Sequence, residues 1–389
     1  MVDLLAFAVI AISVSLATSL FCAKRFGLSA MTSNVTIGLG VWHAAFLYAF
    51  LVFSQDQVSD SANYFAWSDD VDESTGWTGT GFIVRLVELI RFVGIDDYWF
   101  ACGVFSFMSY VGMVFVLLTL DELSYFSNGK RLPLGLVALL FIPGLHFWSV
   151  AVGKDAICVL ALGVGVSSLS PFARYKFLRL ASSCVLLFLA RPHLAIPCFF
   201  VFFAFWYFGV VKRFDRLLRL VSTTGFALVF GLVLVAAYWF LLDVVQKYSV
   251  AGFDGVGEFL DSRGDIYAAT GSGVSLNEVP LVVRPLYFLI SVLPWQIASV
   301  AQLVSMIEGL VFLFLLFSSA RNLWSKTWDD GAREARRVAF WVFCLALLVV
   351  VELSLISGNA GLAVRLRIFP GLLLVVCVSL IRLRLSARS

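Results

Sequence analysis

The chain has 389 residues, 61% of them hydrophobic and 14% charged, with a formal net charge of +3 and a mean hydropathy of +0.96. No soluble domain of this length can hide so much apolar surface, so composition alone selects an all-α polytopic integral membrane protein. The small net charge gives no grip on nucleic acid, and the 7 cysteines fall in apolar runs at unrelated spacings, which predicts neither a disulfide framework nor a metal site.

Taken from the N-terminus, residues 2–22 form an apolar run long enough to span, closed by Lys24 and Arg25 with no small-residue cleavage pattern, and 35–54 form a second span. The segment 55–97 carries nine carboxylates against Arg85 and Arg91, which places it outside the cytoplasm as a first external loop. Within it, Arg85, Glu88 and Arg91 recur at helical spacing beside Phe82, Leu86, Leu89, Ile90 and Val93, the pattern of a helix lying in the membrane interface.

Further spans are expected at 98–120, 132–152 and 156–170, the last closed by Arg174, Lys176 and Arg179. Both flanks of 180–210 are basic, and Pro192 interrupts it, so two short helices turning at Arg191-Pro192-His193 are expected instead of one long one. A span at 220–241 precedes a second external loop with an interfacial segment, 242–297. Spans follow at 298–319 and 338–357, around a basic turn, and a short final span ends in Arg382, Arg384 and Arg388. The whole reads as a single membrane domain over 1–389 with about eleven transmembrane helices, the N-terminus outside and the C-terminus inside.

All but nine of the 28 Lys and Arg residues then fall in short cytoplasmic turns. The nine are Arg85, Arg91, Lys154, Arg191, Lys247, Arg263, Arg284, Arg365 and Arg367, on or near the external face. Cations held at membrane depth face a cavity or an anionic partner. Four stretches combine such charge with aromatic residues and helix breakers. In Ser59-Asp60-Ser61-Ala62-Asn63-Tyr64, Asp60 is either a solvated loop charge or a general base for a sugar hydroxyl, with Tyr64 four residues on.

Around Gly153-Lys154-Asp155, a structural ion pair competes with a reading in which Lys154 contacts phosphate and Asp155 orients it near a helix start. In Arg191-Pro192-His193 the planar fork of Arg191 matches phosphate oxygens, and His193 is by itself more typical of a packed core histidine. The stretch Asn359 to Arg367 sets Arg365 and Arg367 two residues apart, on one side only if the backbone is extended and diverging if it is helical. Arg365 is therefore the stronger candidate of the two. Arg263, the run Gly271 to Ser275, Arg284 and Trp295 add weaker pieces in and after the second loop, which could close over a bound substrate.

This order of motifs, from Asp60–Tyr64 through Trp148–Asp155, Arg191-Pro192-His193 and Pro294-Trp295 to Asn359–Arg367, resembles the Wzy-type and EpsG-like polymerases of bacterial O-antigen, capsule and exopolysaccharide assembly. The resemblance covers most of the chain in short patches and departs at Leu366, where an aromatic residue is expected between the arginines. It implies a GT-C-like glycosyltransferase, without a cofactor, in the bacterial cytoplasmic membrane with its active face outside. Such an enzyme transfers an oligosaccharide from an undecaprenyl diphosphate donor to a lipid-linked acceptor.

By that resemblance Arg191 and Arg365 hold the diphosphate, aided by Lys154 and Arg284, and Asp60 is the candidate base. Tyr64, Asp155, His193, Arg263, Trp295, Asn359 and Arg367 are the surrounding substrate contacts. A chain-length regulator and a flippase are candidate partners. A transferase or ligase using a polyprenyl phosphate donor needs the same residue types. A lipid or polysaccharide transporter is the non-enzyme alternative, and it calls for symmetry-related broken helices.

Overall fold

In the computed structural model, the described residues are 4–26, 29–56, 59–72, 75–128, 134–170, 175–209, 279–324 and 333–385. They form helices and no strand. In chain order these are α1 (Leu4–Phe26), α2 (Ala30–Asp56), α3 (Asp60–Ala66), α4 (Thr80–Phe92), α5 (Tyr98–Asn128), α6 (Leu134–Ala138), α7 (Pro143–Phe147), α8 (Lys154–Ser168), α9 (Lys176–Ala190) and α10 (Pro192–Gly209). After them come α11 (Arg284–Ile290), α12 (Val300–Trp324), α13 (Arg333–Ile356), α14 (Ala360–Leu366) and α15 (Ile368–Leu385).

Among the described residues four helices are long and apolar enough to cross a membrane: Ala30–Gln55, Tyr98–Ser124, Val300–Trp324 and Arg336–Ile356. They become five if the pair Ala360–Leu366 and Ile368–Ile381, bent by 40°, is one span. The span expected at 220–241, most of the second external loop, Arg263 and the Gly271–Ser275 run lie outside the described residues.

The chain divides into two compact units, one of residues 1–195, 318–340 and 372–389 and the other of 196–317 and 341–371. In the first unit α1 packs on α2, α2 on α5, α5 on α8 and α8 on α9. The α5–α8 contact depends on two glycines. A Cβ on Gly163 would collide with the Gly112 carbonyl, and one on Gly112 would lie 2.5 Å from the Val159 carbonyl oxygen. The backbones touch because neither residue has a side chain, the small-residue packing that membrane helices use. Gly163→Val is expected to destabilise the folded protein by about 1–3 kcal/mol through overpacking. Its thermal unfolding in detergent should shift well below wild type, whereas the same change at Gly103, with open space around it, should shift it little.

The expected continuous span over 132–152 is broken into α6, a 3-10 turn at Leu139–Phe141, and α7. Pro143 removes an amide donor and pushes Ile142 to ψ 122°, so the helix restarts with the proline in its first turn. The broken segment is tied back through two buried histidines: His43 Nδ1 lies 2.9 Å from His146 Nδ1 and His146 Nε2 2.8 Å from the Leu140 carbonyl oxygen. Because that carbonyl only accepts, His146 donates to it from Nε2–H, and His43 Nε2 likewise faces a carbonyl oxygen, that of Ser106, at 3.1 Å. His43 Nε2, 2.8 Å from Ser109 Oγ, completes the link to α5.

The 55–97 segment is α3, a 3-10 turn at Trp67–Asp69, and α4. Helix α4 turns Ile83, Val84, Val87 and Ile90 inward and leaves Leu89, Phe92 and Val93 exposed. Arg91 pins the segment together, with ion pairs to Asp69 at 2.5 Å and Asp96 at 2.6 Å. These two acidic residues therefore serve loop geometry.

Candidate functional site

In the first unit the structure gathers α3, the start of α8 and the end of α9 around one charged cluster. Helix α3 starts at Asp60 because Ser59, in extended conformation, caps it by accepting from the Ala62 amide at 3.4 Å. Asp60 is exposed on the first turn, and Tyr64 lies one turn further along the same face, 6% exposed. The Lys154 ammonium stands 5.8 Å from the centre of the Tyr64 ring, within cation–π range.

Lys154 and Asp155 form the first turn of α8, where Gly153 supplies no side-chain cap. A carboxylate here is favoured by the helix dipole. Asp155 is 1% exposed and binds Arg191 Nη2 through Oδ1 at 2.6 Å, with the arginine side chain 11% exposed. Burial on both sides makes this a charge-assisted bond shielded from water, unlike a surface ion pair.

Arg191 occupies the gap between α9 and α10. Its backbone is extended, φ −146° and ψ 86°, as the residue before a proline requires, and Pro192 begins α10 without an amide to satisfy. The expected interruption is thus present at the expected residue. His193, one residue further, has a buried Nε2 with no hydrogen-bond partner among the described residues. The loop leading into α4 closes over the same place: Gly79 donates its amide to the Leu189 carbonyl at 2.7 Å. Gly79 adopts φ +62°, and a Cβ there would lie 4.0 Å from Lys154 Nζ. Only glycine takes that backbone conformation without strain.

Tyr64, the adjacent pair Lys154-Asp155 and Arg191, from three separate stretches of sequence, are joined through the Lys154–Tyr64 and Asp155–Arg191 contacts, with Asp60 one turn from the tyrosine and His193 two residues from the arginine. Lys154, Arg191 and the amide end of α8 surround the buried Asp155, with Asp60 exposed to one side, and the two cations at a helix N-terminus suit an anionic oxygen cluster such as phosphate.

The second unit contains the remaining predicted residues that are described, Arg284, Trp295, Asn359, Arg365 and Arg367. Asn359 caps α14, its side-chain oxygen accepting from the Leu362 amide at 2.7 Å. Loss of that cap in Asn359→Ala is expected to cost about 1 kcal/mol, seen as a small drop in the unfolding midpoint. Because α14 is helical, Arg365 and Arg367 diverge, as their spacing requires. Arg365 is half-buried.

Arg367 is fully buried. Its Nη1 donates to the Leu289 and Ile290 carbonyls, at 3.2 and 2.7 Å. Its Nη2 donates to the Ser305 carbonyl, to Ser305 Oγ at 2.8 Å, and to Glu308 at 3.4 Å. Arg367 therefore caps the C-terminal carbonyls of α11 and holds α12, with its donors turned into the protein. Arg284 is half-buried and donates to the Val279 carbonyl at 3.3–3.4 Å, and Trp295 is 79% exposed.

Two carboxylates absent from the sequence-based list belong in this description. Glu308 is the partner of Arg367. Glu352, inside the span Arg336–Ile356, has both carboxylate oxygens buried without a hydrogen bond among the described residues. The signal for both was a single carboxylate within an apolar run. Comparison of the chain with protein-family models, with curated proteins and with solved structures finds no match.

Proposed function

We propose that this protein is a membrane glycosyltransferase that polymerises a bacterial surface polysaccharide. It transfers an oligosaccharide from an undecaprenyl diphosphate donor to a lipid-linked acceptor repeat on the external face of the cytoplasmic membrane. The observation that carries the reading is the buried Arg191–Asp155 pair set against Lys154 at the start of α8. The diphosphate is already a good leaving group, so catalysis consists of neutralising the charge that grows on it and aligning the attacking hydroxyl. Arg191 and Lys154 supply the first function. Asp155 positions the guanidinium through its 2.6 Å bond to Nη2. Asp60, exposed one turn from Tyr64, accepts the proton of the acceptor hydroxyl.

In this reading the chain has about eleven spans in a GT-C-like arrangement, and Arg365 is a further candidate for binding phosphate. Arg367 is assigned a structural role because its Nη1 and Nη2 donors are occupied by protein carbonyls, Ser305 and Glu308. The alternative, a transferase using a polyprenyl monophosphate donor, rests on the same cluster, since one phosphate also fits two cations. Purified protein incubated with a synthetic undecaprenyl diphosphate-linked repeat should produce a ladder of lipid-linked multiples. Release of single sugars from a polyprenyl monophosphate donor, with no ladder, would replace the polymerase reading by the alternative.

A further inference from the structure

Between the ends of α12 and α13 lies an open cavity of about 260 Å³ lined by Leu323, Trp324, Arg336, Arg337 and Phe340. Its position is set by two membrane-length helices. The apolar span Val300–Trp324 ends at the tryptophan and the apolar span Arg336–Ile356 begins at the arginines, so the cavity lies at the level where hydrocarbon gives way to head groups. Its walls divide in the same sense. Leu323 is buried, while Phe340 is 40% and Trp324 66% exposed, which gives an apolar surface ending in an interfacial aromatic ring. Arg336 is anchored by donating to the Leu323 carbonyl at the end of α12, at 2.9 Å. That bond satisfies a helix-terminal acceptor and fixes one guanidinium at the rim.

We infer that this cavity binds the head group of an anionic phospholipid. Its phosphate lies against Arg336 and Arg337, and its glycerol and first acyl carbons lie on Leu323, Phe340 and Trp324. Paired guanidiniums match phosphate oxygens in the planar fashion that lysine does not, and basic pockets between transmembrane helices are suited to anionic head groups. A water-soluble phosphate would leave the apolar wall uncovered, whereas a lipid uses both halves of the cavity. The inference is independent of the Arg191 cluster and of the polymerase reading.

The test is native mass spectrometry of the full-length protein released from nanodiscs of phosphatidylcholine and phosphatidylglycerol. Wild type should retain phosphatidylglycerol preferentially. Arg337→Gln should lower that retention about fivefold, Arg337→Lys should lower it less, and Arg321→Gln, a charge change one turn before Trp324, should leave it unaltered. Unchanged retention in folded Arg337→Gln would overturn the inference. So would an equal loss in Arg321→Gln, or displacement of the lipid by millimolar inorganic phosphate. Should Arg337→Gln not fold, a photo-crosslinking residue at Phe340 gives the same decision: capture of phosphatidylglycerol over phosphatidylcholine supports the site, and equal capture of the two contradicts it.

Discussion

Arg367→Ala is expected to be the most destabilising single change in the described part of the chain, costing about 3–5 kcal/mol. The substitution removes the donors for two α11 carbonyls, the Ser305 carbonyl and Ser305 Oγ, and the ion-pair partner that Arg367 gives Glu308, at a site where the arginine is fully buried. A buried acceptor deprived of its donor loses about 1–3 kcal/mol each, and relaxation of the surrounding helices keeps the sum below simple addition.

Two neighbouring residues show how closely this region is built. A Cβ on Gly309 would sit 2.7 Å from the Leu289 and Ile290 carbonyl oxygens, and one on Gly371 would sit 2.5 Å from the Phe312 ring. Ser305, Glu308, Gly309 and Phe312 are spaced by three and four, so one face of α12 receives both the arginine and the end of α11. Thermal unfolding in detergent is the measurement. Glu308→Gln should cost less than Arg367→Ala, because the guanidinium keeps its carbonyl partners.

Arg191→Ala is expected to lower turnover by about 100- to 1,000-fold, the range seen when one donor to developing negative charge is removed, while the protein still inserts and accumulates. Arg191→Lys should recover only part of the loss, since an ammonium cannot bond Asp155 and a phosphate with the same planar fork. Asp155→Asn discriminates between roles. If Asp155 positions the arginine, the variant should retain substrate binding and lose turnover. Wild-type turnover in Arg191→Ala would remove that residue from the proposed diphosphate clamp. The corresponding change at Arg365 should also abolish polymer formation.

The sequence revealed the membrane-length helices because long apolar runs leave few alternatives, and it revealed the break at Arg191 because the residue before a proline is disfavoured in helical conformation. It was less informative at 132–152. There the apolar content signalled a span, but Pro143-Gly144 overrode it and produced two short helices joined by buried histidines. In the site, Lys154, Asp155 and Arg191 stood out as charge among apolar residues, and their contact depended on tertiary packing of α8 and α9.

Arg367 shows the limit of such reading. Charge at membrane depth signalled a partner, and the partners are Ser305 and Glu308 on another helix and two backbone carbonyls. No local pattern around residue 367 encodes them. Asn359 lay within the same stretch and carried a legible signal, a side chain suited to helix capping.

The central claim is tested most directly by the mass profile of polyprenyl-linked glycans in cells lacking the protein and in the same cells with it restored. The polymerase account predicts complete single repeats on the lipid and no long polymer in its absence, with restoration by wild type and not by Arg191→Ala. A lipid-linked glycan short by one sugar, or an unchanged profile, would contradict it.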